Sequence, residues 1–247
     1  QNVAAQEFTS IDGLVLNGTP ASPPLPQIPI TLELSRDGVQ ISQSHTTSGI
    51  TGEFQFTEVP IDSTFLQVLR WEYLGVKYTR VLSPSLPENP ISLLVYETTP
   101  SIDAISVLES AVVFTHAESS SSWLFALELH RIRNSGDHTL LPDIDQGNAM
   151  DMLRFPLPPG ATDLDVRLQL EGGNLTQVDK GFAITTPIPP GHHEILFTYK
   201  APYNGSKLEL DYRLPFGART FDVLLAEDLG TLESPNLEER PVAAFEG

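Results

Sequence analysis

Apolar and polar residues alternate with a period of two along much of the chain. Ile28, Ile30, Leu32 and Leu34 alternate with Pro29, Thr31 and Glu33, the spacing that sends one set to each face of a β-strand. Trp123, Phe125, Leu127 and Leu129 share a second such face, with Glu128 and His130 opposite them. His193, Ile195, Phe197 and Tyr199 make a third. In KLELDYRL (207–214), Leu208, Leu210, Tyr212 and Leu214 oppose Lys207, Glu209, Asp211 and Arg213. Each run reads as a half-buried antiparallel strand with one wet face.

Strand breakers separate these runs. NGTPASPPLP (17–26), SPSLPENP (83–90), PLPPG (156–160) and PIPPG (187–191) are rich in proline and glycine, and proline has no N–H to donate to a ladder. No stretch combines helical periodicity with caps over ten or more residues. LEERPVAAF (237–245) has room for one helical turn before Pro241 interrupts it. The expected fold class is therefore all-β. A boundary is expected around YETTPSID (96–103), where one apolar run ends and another begins at Ile105. Residues 1–98 then form an immunoglobulin-sized sandwich of about seven strands. Residues 99–247 form a larger one, immunoglobulin- or fibronectin-like, and the halves show no internal repeat.

Charge narrows the classes of partner. The 247 residues carry a formal charge of −18, which repels phosphate backbones and anionic membrane surfaces alike. Nucleic acid is not an expected ligand; basic proteins and divalent cations are. The chain contains no cysteine, so thiolate metal sites, thiol nucleophiles and disulfides are excluded. Apolar runs such as 111–114 fall far short of the roughly 20 residues that cross a bilayer as a helix, so membrane insertion by this chain is not expected. The start at Gln1 reads as the processed end of an exported chain.

One stretch carries a resemblance. In TTSGITGEFQFTEVP (46–60), Gly52 precedes Phe54 and Phe56, and Val59 and Pro60 close the run. Upstream, IDGLVLNGTP (11–20) supplies Ile11, Gly13 and Val15, followed by IPITLEL (28–34) and FLQVLRWEYLGVKYTR (65–80). The order resembles the carboxypeptidase regulatory-like domain, also described as transthyretin- or prealbumin-like. Ser48 stands where that family usually has an acidic turn residue, and YLGVKY replaces its Gly-Tyr turn. The resemblance implies a sandwich that is an accessory to enzymes, receptors and surface proteins and catalyses nothing itself. Physics gives a matching account, since glycine permits the turn and the alternating phenylalanines bury between two sheets. The second half, with LRFPLPPGATDL (153–164) and GFAITTPIPPGHHEILFTYKAPY (181–203), resembles extracytoplasmic sandwiches of bacterial envelope proteins. In such proteins a membrane anchor commonly follows, so this chain reads as a cleaved or truncated form.

Candidate chemistry is sparse. None of the six histidines has glutamate three residues on, so the zinc peptidase signature is missing. GHHE (191–194) offers His192 and Glu194 on one face as a two-ligand metal site, against the simpler reading of a strand start. DIDQGNAMD (143–151) echoes a calcium loop, with Asp143, Asp145, Asn148 and Asp151 as candidate Ca²⁺ ligands but no closing glutamate. No Gly-x-Ser-x-Gly elbow occurs, and ESSSSW (118–123) reads as a hairpin tip. Trp71, Tyr73 and Tyr78 suit either a sugar platform or a core. Asn17, Asn174 and Asn204 begin Asn-x-Ser/Thr sequons in expected turns. The expectation is a non-catalytic extracytoplasmic protein, secreted or at the cell surface, that has no cofactor and acts as a structural or assembly subunit. Its partners would be other proteins, or copies of itself joined by β-strand addition, with the N-terminal QNVAAQEFTS (1–10) as a candidate added strand. The alternative is a carbohydrate- or calcium-binding accessory module beside a separate enzyme.

Overall fold

Among the described residues of the computed structural model, the alternating pattern becomes seventeen strands and one short 3₁₀ turn (Glu227–Leu229). The structure describes residues 8–83, 90–118, 122–144, 152–168, 170, 175–178, 180–203 and 207–239. The first seven strands are β1 (Phe8–Asn17), β2 (Pro29–Arg36), β3 (Val39–Thr47), β4 (Glu53–Pro60), β5 (Leu66–Tyr73), β6 (Val76–Leu82) and β7 (Ile91–Val95). They form a three-stranded sheet, β4-β1-β7, and a four-stranded sheet, β3-β2-β5-β6. Their buried side chains, among them Ile11, Phe54, Phe56, Ile30, Leu32 and Leu69, make one continuous core.

The turn into β4 shows why the sequence folds this way locally. Gly52 has φ +89°, and a Cβ there would lie 2.5 Å from the carbonyl oxygen of Val15. Only glycine meets both demands, and its own carbonyl accepts the Val15 N–H at 2.8 Å. Beyond it Phe54 and Phe56 turn inward in an edge-to-face pair with centroids 6.2 Å apart, while Glu53, Gln55 and Thr57 face water. Ser48 clips the preceding loop. Its hydroxyl donates to the carbonyl of Leu25 at 2.7 Å and accepts the Ile28 N–H at 2.9 Å.

After a two-residue strand, β8 (Thr98–Thr99), come β9 (Ile105–Glu118), β10 (Trp123–Asn134), β11 (Thr139–Leu140), β12 (Leu153–Pro156), β13 (Thr162–Leu168), β14 (Leu175–Val178), β15 (Gly181–Ile184), β16 (Gly191–Pro202) and β17 (Thr220–Leu225). A five-stranded sheet has the order β13-β16-β10-β9-β17, and β12-β15-β14 form a smaller one. Between them lies a second core containing Phe114, Phe155, Phe182, Phe197 and Tyr199. Phe155, Phe182 and Phe197 pack with centroids 5.0 to 5.6 Å apart. Among the described residues no helix is long and apolar enough to cross a membrane.

Two expectations need correction. Residues 207–214 keep the expected alternation, with Leu208, Leu210, Tyr212 and Leu214 turned inward, but they join no ladder. The segment is a strap, held by its side chains rather than by its backbone. The second correction concerns β10. Its buried residues are Leu124, Ala126, Glu128, His130 and Ile132, while Trp123, Phe125, Leu127 and Leu129 stay partly exposed on the other side. The expected wet face is the buried one.

Substitution of glycine separates backbone strain from close contact. Gly75 also has positive φ (+78°) but nothing within 4 Å of an added Cβ. Gly75→Ala is expected to cost about 1 kcal/mol, whereas Gly52→Ala adds a clash with backbone and costs about 3 kcal/mol or more. Urea unfolding of the two variants beside the parent measures the difference, and equal losses would contradict the close approach of β1 and β4.

Candidate functional site

The inner face of β10 carries a polar cluster within the second core. Glu128 is 0% exposed and His130 2% exposed, with Ser110 of β9 at 1%. Tyr199 of β16 donates its hydroxyl to Glu128 Oε1 at 2.9 Å, and Tyr212 of the strap donates to Oε2. His130 Nε2 lies 3.1 Å from the same Oε2, and Nδ1 lies 2.9 Å from Ser110 Oγ. One tautomer satisfies every atom: Nε2–H donates to the carboxylate and Nδ1 accepts the serine proton. Burial raises the phenol pKa of both tyrosines well above its ordinary value, and the adjacent Glu128 raises it further. Both hydroxyls therefore keep their protons and remain donors.

The order serine, histidine, glutamate matches that of a nucleophile, its base and an orienting acid. Access is what this arrangement lacks. The hollow beside His130, walled by Val107, Arg154, Phe155 and Tyr212, holds about 10 Å³, room for about one water. His130 is packed against Phe155 and Phe197, with centroids 4.7 and 5.3 Å away. In this conformation the cluster braces the sheet and fastens the strap, where Tyr212 also stacks on Phe221 of β17 at 5.1 Å.

Asp143 is exposed, and Asp145, Asn148 and Asp151 lie outside the described residues. Among the described residues no group of three His, Asp or Glu side chains is placed to hold a metal ion. In the GHHE stretch, His193 Nε2–H donates to the carbonyl of Pro189 at 2.8 Å, and Glu194 pairs with Arg131 at 2.9 Å. Burial lowers the His193 pKa, the main cause, although the Pro189 carbonyl acts the other way. Trp71 and Tyr78 are core residues stacked 5.6 Å apart, and Tyr73 donates its hydroxyl to Glu97 at 2.7 Å. No exposed aromatic platform forms there. Asn17 ends β1 with its amide donating to Glu97 at 2.9 Å, a strand-end position rather than the expected free turn. Asn174, Asn204 and Ser119 to Ser121 lie outside the described residues, as do residues 1–7 of the candidate added strand.

The opposite side of the same sheet holds the second unusual feature. Antiparallel partners share a face, and on the outer face Leu127 lies opposite Val113 and Thr198, Leu129 opposite Ala111 and Leu196. Leu224 of β17 lies next to Val113. With Trp123 and Phe125 these residues form an apolar stripe that contributes to neither core. Phe125 is flanked by His116, stacked at 4.0 Å, and by Lys200, whose Nζ sits 5.0 Å from the ring centroid. Charges mark its margins. Arg131 bridges Glu109 at 2.7 Å and Glu194 at 2.9 Å, and Lys200 pairs with Asp163 at 2.7 Å. An outward sheet face of an acidic protein is expected to be polar; this one is apolar with a rim of both charges.

Neither the buried carboxylate nor the outward stripe was found by alternation, because β10 is apolar on both sides. The usable signal was the company of Glu128 and His130: Leu124, Ala126 and Ile132 share their parity.

No protein-family model matches the chain, and no curated protein matches it. Among solved structures it is similar to a mutant two-domain M1 zinc metallopeptidase bound to L-tryptophan, at 12% identity and a TM-score of 0.26. That match covers 41% of this chain and 21% of the peptidase, too slight a likeness to carry an argument about activity.

The cluster predicts the behaviour of one conservative variant. Tyr212→Phe removes a single hydroxyl from a buried carboxylate, so stability should fall by about 2 kcal/mol. Hydrogen exchange of residues 207–214 should rise several-fold as the strap loosens. Unchanged urea stability together with unchanged exchange would contradict the fastening role.

Proposed function

We propose that this chain is a non-catalytic interaction subunit that docks a protein partner on the outer face of the sheet β13-β16-β10-β9-β17. The observation that carries this reading is the apolar stripe of Trp123, Phe125, Leu127 and Leu129, widened by Val113 and Leu196 and turned away from both cores. Water-facing strand positions with these residues are unfavourable unless something covers them. The rim also matters. Arg131, Arg133, Lys200 and Arg167 interleave with Glu109, Glu118, Glu194, Asp165 and Asp222 on this face, so charges of both signs surround the stripe. A partner with an apolar centre and mixed charges around it meets little repulsion here.

The reading extends to a two-sandwich, extracytoplasmic assembly protein. Its support is the resemblance of residues 11–80 to the accessory regulatory-like domain, and the division of the buried residues into two clusters. The enclosed Ser110–His130–Glu128 group supports a bracing role over catalysis, because Ser110 is 1% exposed.

The test begins with a photo-cross-linking residue at position 129, used to identify the contacting protein in an extract of the native host. The purified partner is then titrated against the parent chain and variants. Leu127→Lys and Leu129→Lys should each weaken binding at least tenfold, and the binding heat capacity should be negative. Leu94→Lys, at an exposed leucine (45%) outside this face, should leave affinity unchanged. A partner whose affinity ignores positions 127 and 129, or the absence of any partner cross-linked at position 129, would overturn the reading.

A further inference from the structure

The free edge of β3 differs from the other described sheet edges of six or more residues. Among the described residues β3 ends the order β3-β2-β5-β6 and pairs only with β2. Its nine residues, VQISQSHTT, include no Asp, Glu, Lys, Arg or Pro. Other described edge strands of six or more residues all carry guards: Glu53, Glu58 and Pro60 in β4, Lys77 and Arg80 in β6, Asp163, Asp165 and Arg167 in β13, Asp222 in β17. The shorter β7 is also covered, because Arg80 Nη1 donates to the carbonyl of Ser92 at 3.0 Å. Charged side chains and prolines on edges are how monomeric sheets prevent pairing with another chain. β3 has neither.

Its faces fit the same reading. Ser42, Ser44 and Thr46 lie opposite Leu34, Leu32 and Ile30 of β2, so their side is the core side of the sheet, yet Ser42 and Ser44 are exposed. β3 therefore projects past the sandwich with both faces wet. A register shift at Leu34/Ser35 marks a bulge near the β2–β3 hairpin, and Ser42 to Thr47 continue as a regular strand. Val39 and Ile41 are 62% and 56% exposed at one end, and Ile50 is 83% exposed just beyond the other.

We propose that β3 pairs with β3 of a second copy, antiparallel about a two-fold axis, giving a continuous eight-stranded sheet across a homodimer. The occupant follows from charge and symmetry. Each copy carries −18, so two copies approach best along an edge with no charge of its own. An antiparallel pair of identical strands is self-complementary, as a two-fold interface requires. The pairing also brings Val39 and Ile41 of one copy toward the Thr47–Ile50 end of the other, covering apolar groups that the monomer exposes. Net repulsion opposes association at long range, so added salt strengthens this dimer.

The inference does not depend on the outward stripe, and one experiment separates the two. Light scattering over a wide concentration range, at low and high salt, should show the mass rising from 27.1 kDa toward twice that value, at lower concentration in high salt. Ser44→Lys places like charges across the seam and should hold the protein monomeric with an unchanged circular dichroism spectrum. Because the chain lacks cysteine, Ser44→Cys should form a dimer disulfide under mild oxidation, and Val81→Cys on β6 should not. A mass that stays at 27.1 kDa in all conditions, with no Ser44→Cys dimer, overturns this pairing and leaves the sheet-face reading standing. A dimer abolished by Leu129→Lys but indifferent to Ser44→Lys also overturns it, and transfers self-association to the stripe.

Discussion

A carboxylate removed from water must be fully hydrogen-bonded, and Glu128 meets that demand with donors from three segments of the chain. His130 comes from its own strand, Tyr199 from β16, and Tyr212 from the strap. Left unpaired, a buried carboxylate costs several kcal/mol; hydrogen bonds to a charged acceptor are the stronger kind and offset that cost only when geometry is right. The cluster therefore specifies more than it stabilises. A slip of β10 by one residue would put Glu128 in water and pull Leu127 or Leu129 inward, leaving Tyr199 and Tyr212 without their shared acceptor and Ser110 without His130. The register of β10 between β9 and β16 follows from that constraint.

The other face of β10 follows in turn. Once Glu128 and His130 point inward, Trp123, Phe125, Leu127 and Leu129 must point outward, since adjacent residues of a strand take opposite faces. β10 thus carries two polar residues, Glu128 and His130, into the core and a run of apolar residues where water is expected. The inward anomaly is resolved within the chain by tyrosine hydroxyls. The outward one is resolved only by something that covers it, and the proposed function rests on that difference. The strap belongs to the same system: with no ladder of its own, it is positioned by the side chains that reach the cluster and the core.

Where one side of a strand was plainly apolar and the other plainly polar, the sequence was easy to read. β2 and β4 alternate cleanly, Gly52 announces the turn into β4, and the all-β class follows from proline-rich punctuation. β10 was legible as a strand but not as to its faces, because a period-two pattern with apolar residues on both sides has no preferred inside. What decided the matter was long-range: Tyr199 lies 71 residues from Glu128 and Tyr212 lies 84, distances over which alternation is silent. The strap misled for a related reason, since its alternation reports burial of one side and contains nothing about whether a neighbour exists to accept its backbone. The edge of β3 is the reverse case. Its lack of charge is visible in the sequence, but it becomes informative only when the sheet order makes it an edge.

The most direct test of this account is the rate at which a thiol reagent labels single cysteines in the otherwise cysteine-free folded chain. Ser110→Cys is nearly isosteric and sits beside the buried carboxylate, whereas Leu129→Cys sits in the outward stripe. Labelling at position 129 should be fast, and labelling at position 110 slower by orders of magnitude until the protein is unfolded. Equal rates, or protection at position 129 with ready labelling at position 110, would show that β10 presents its other face and would contradict both the bracing cluster and the proposed interface.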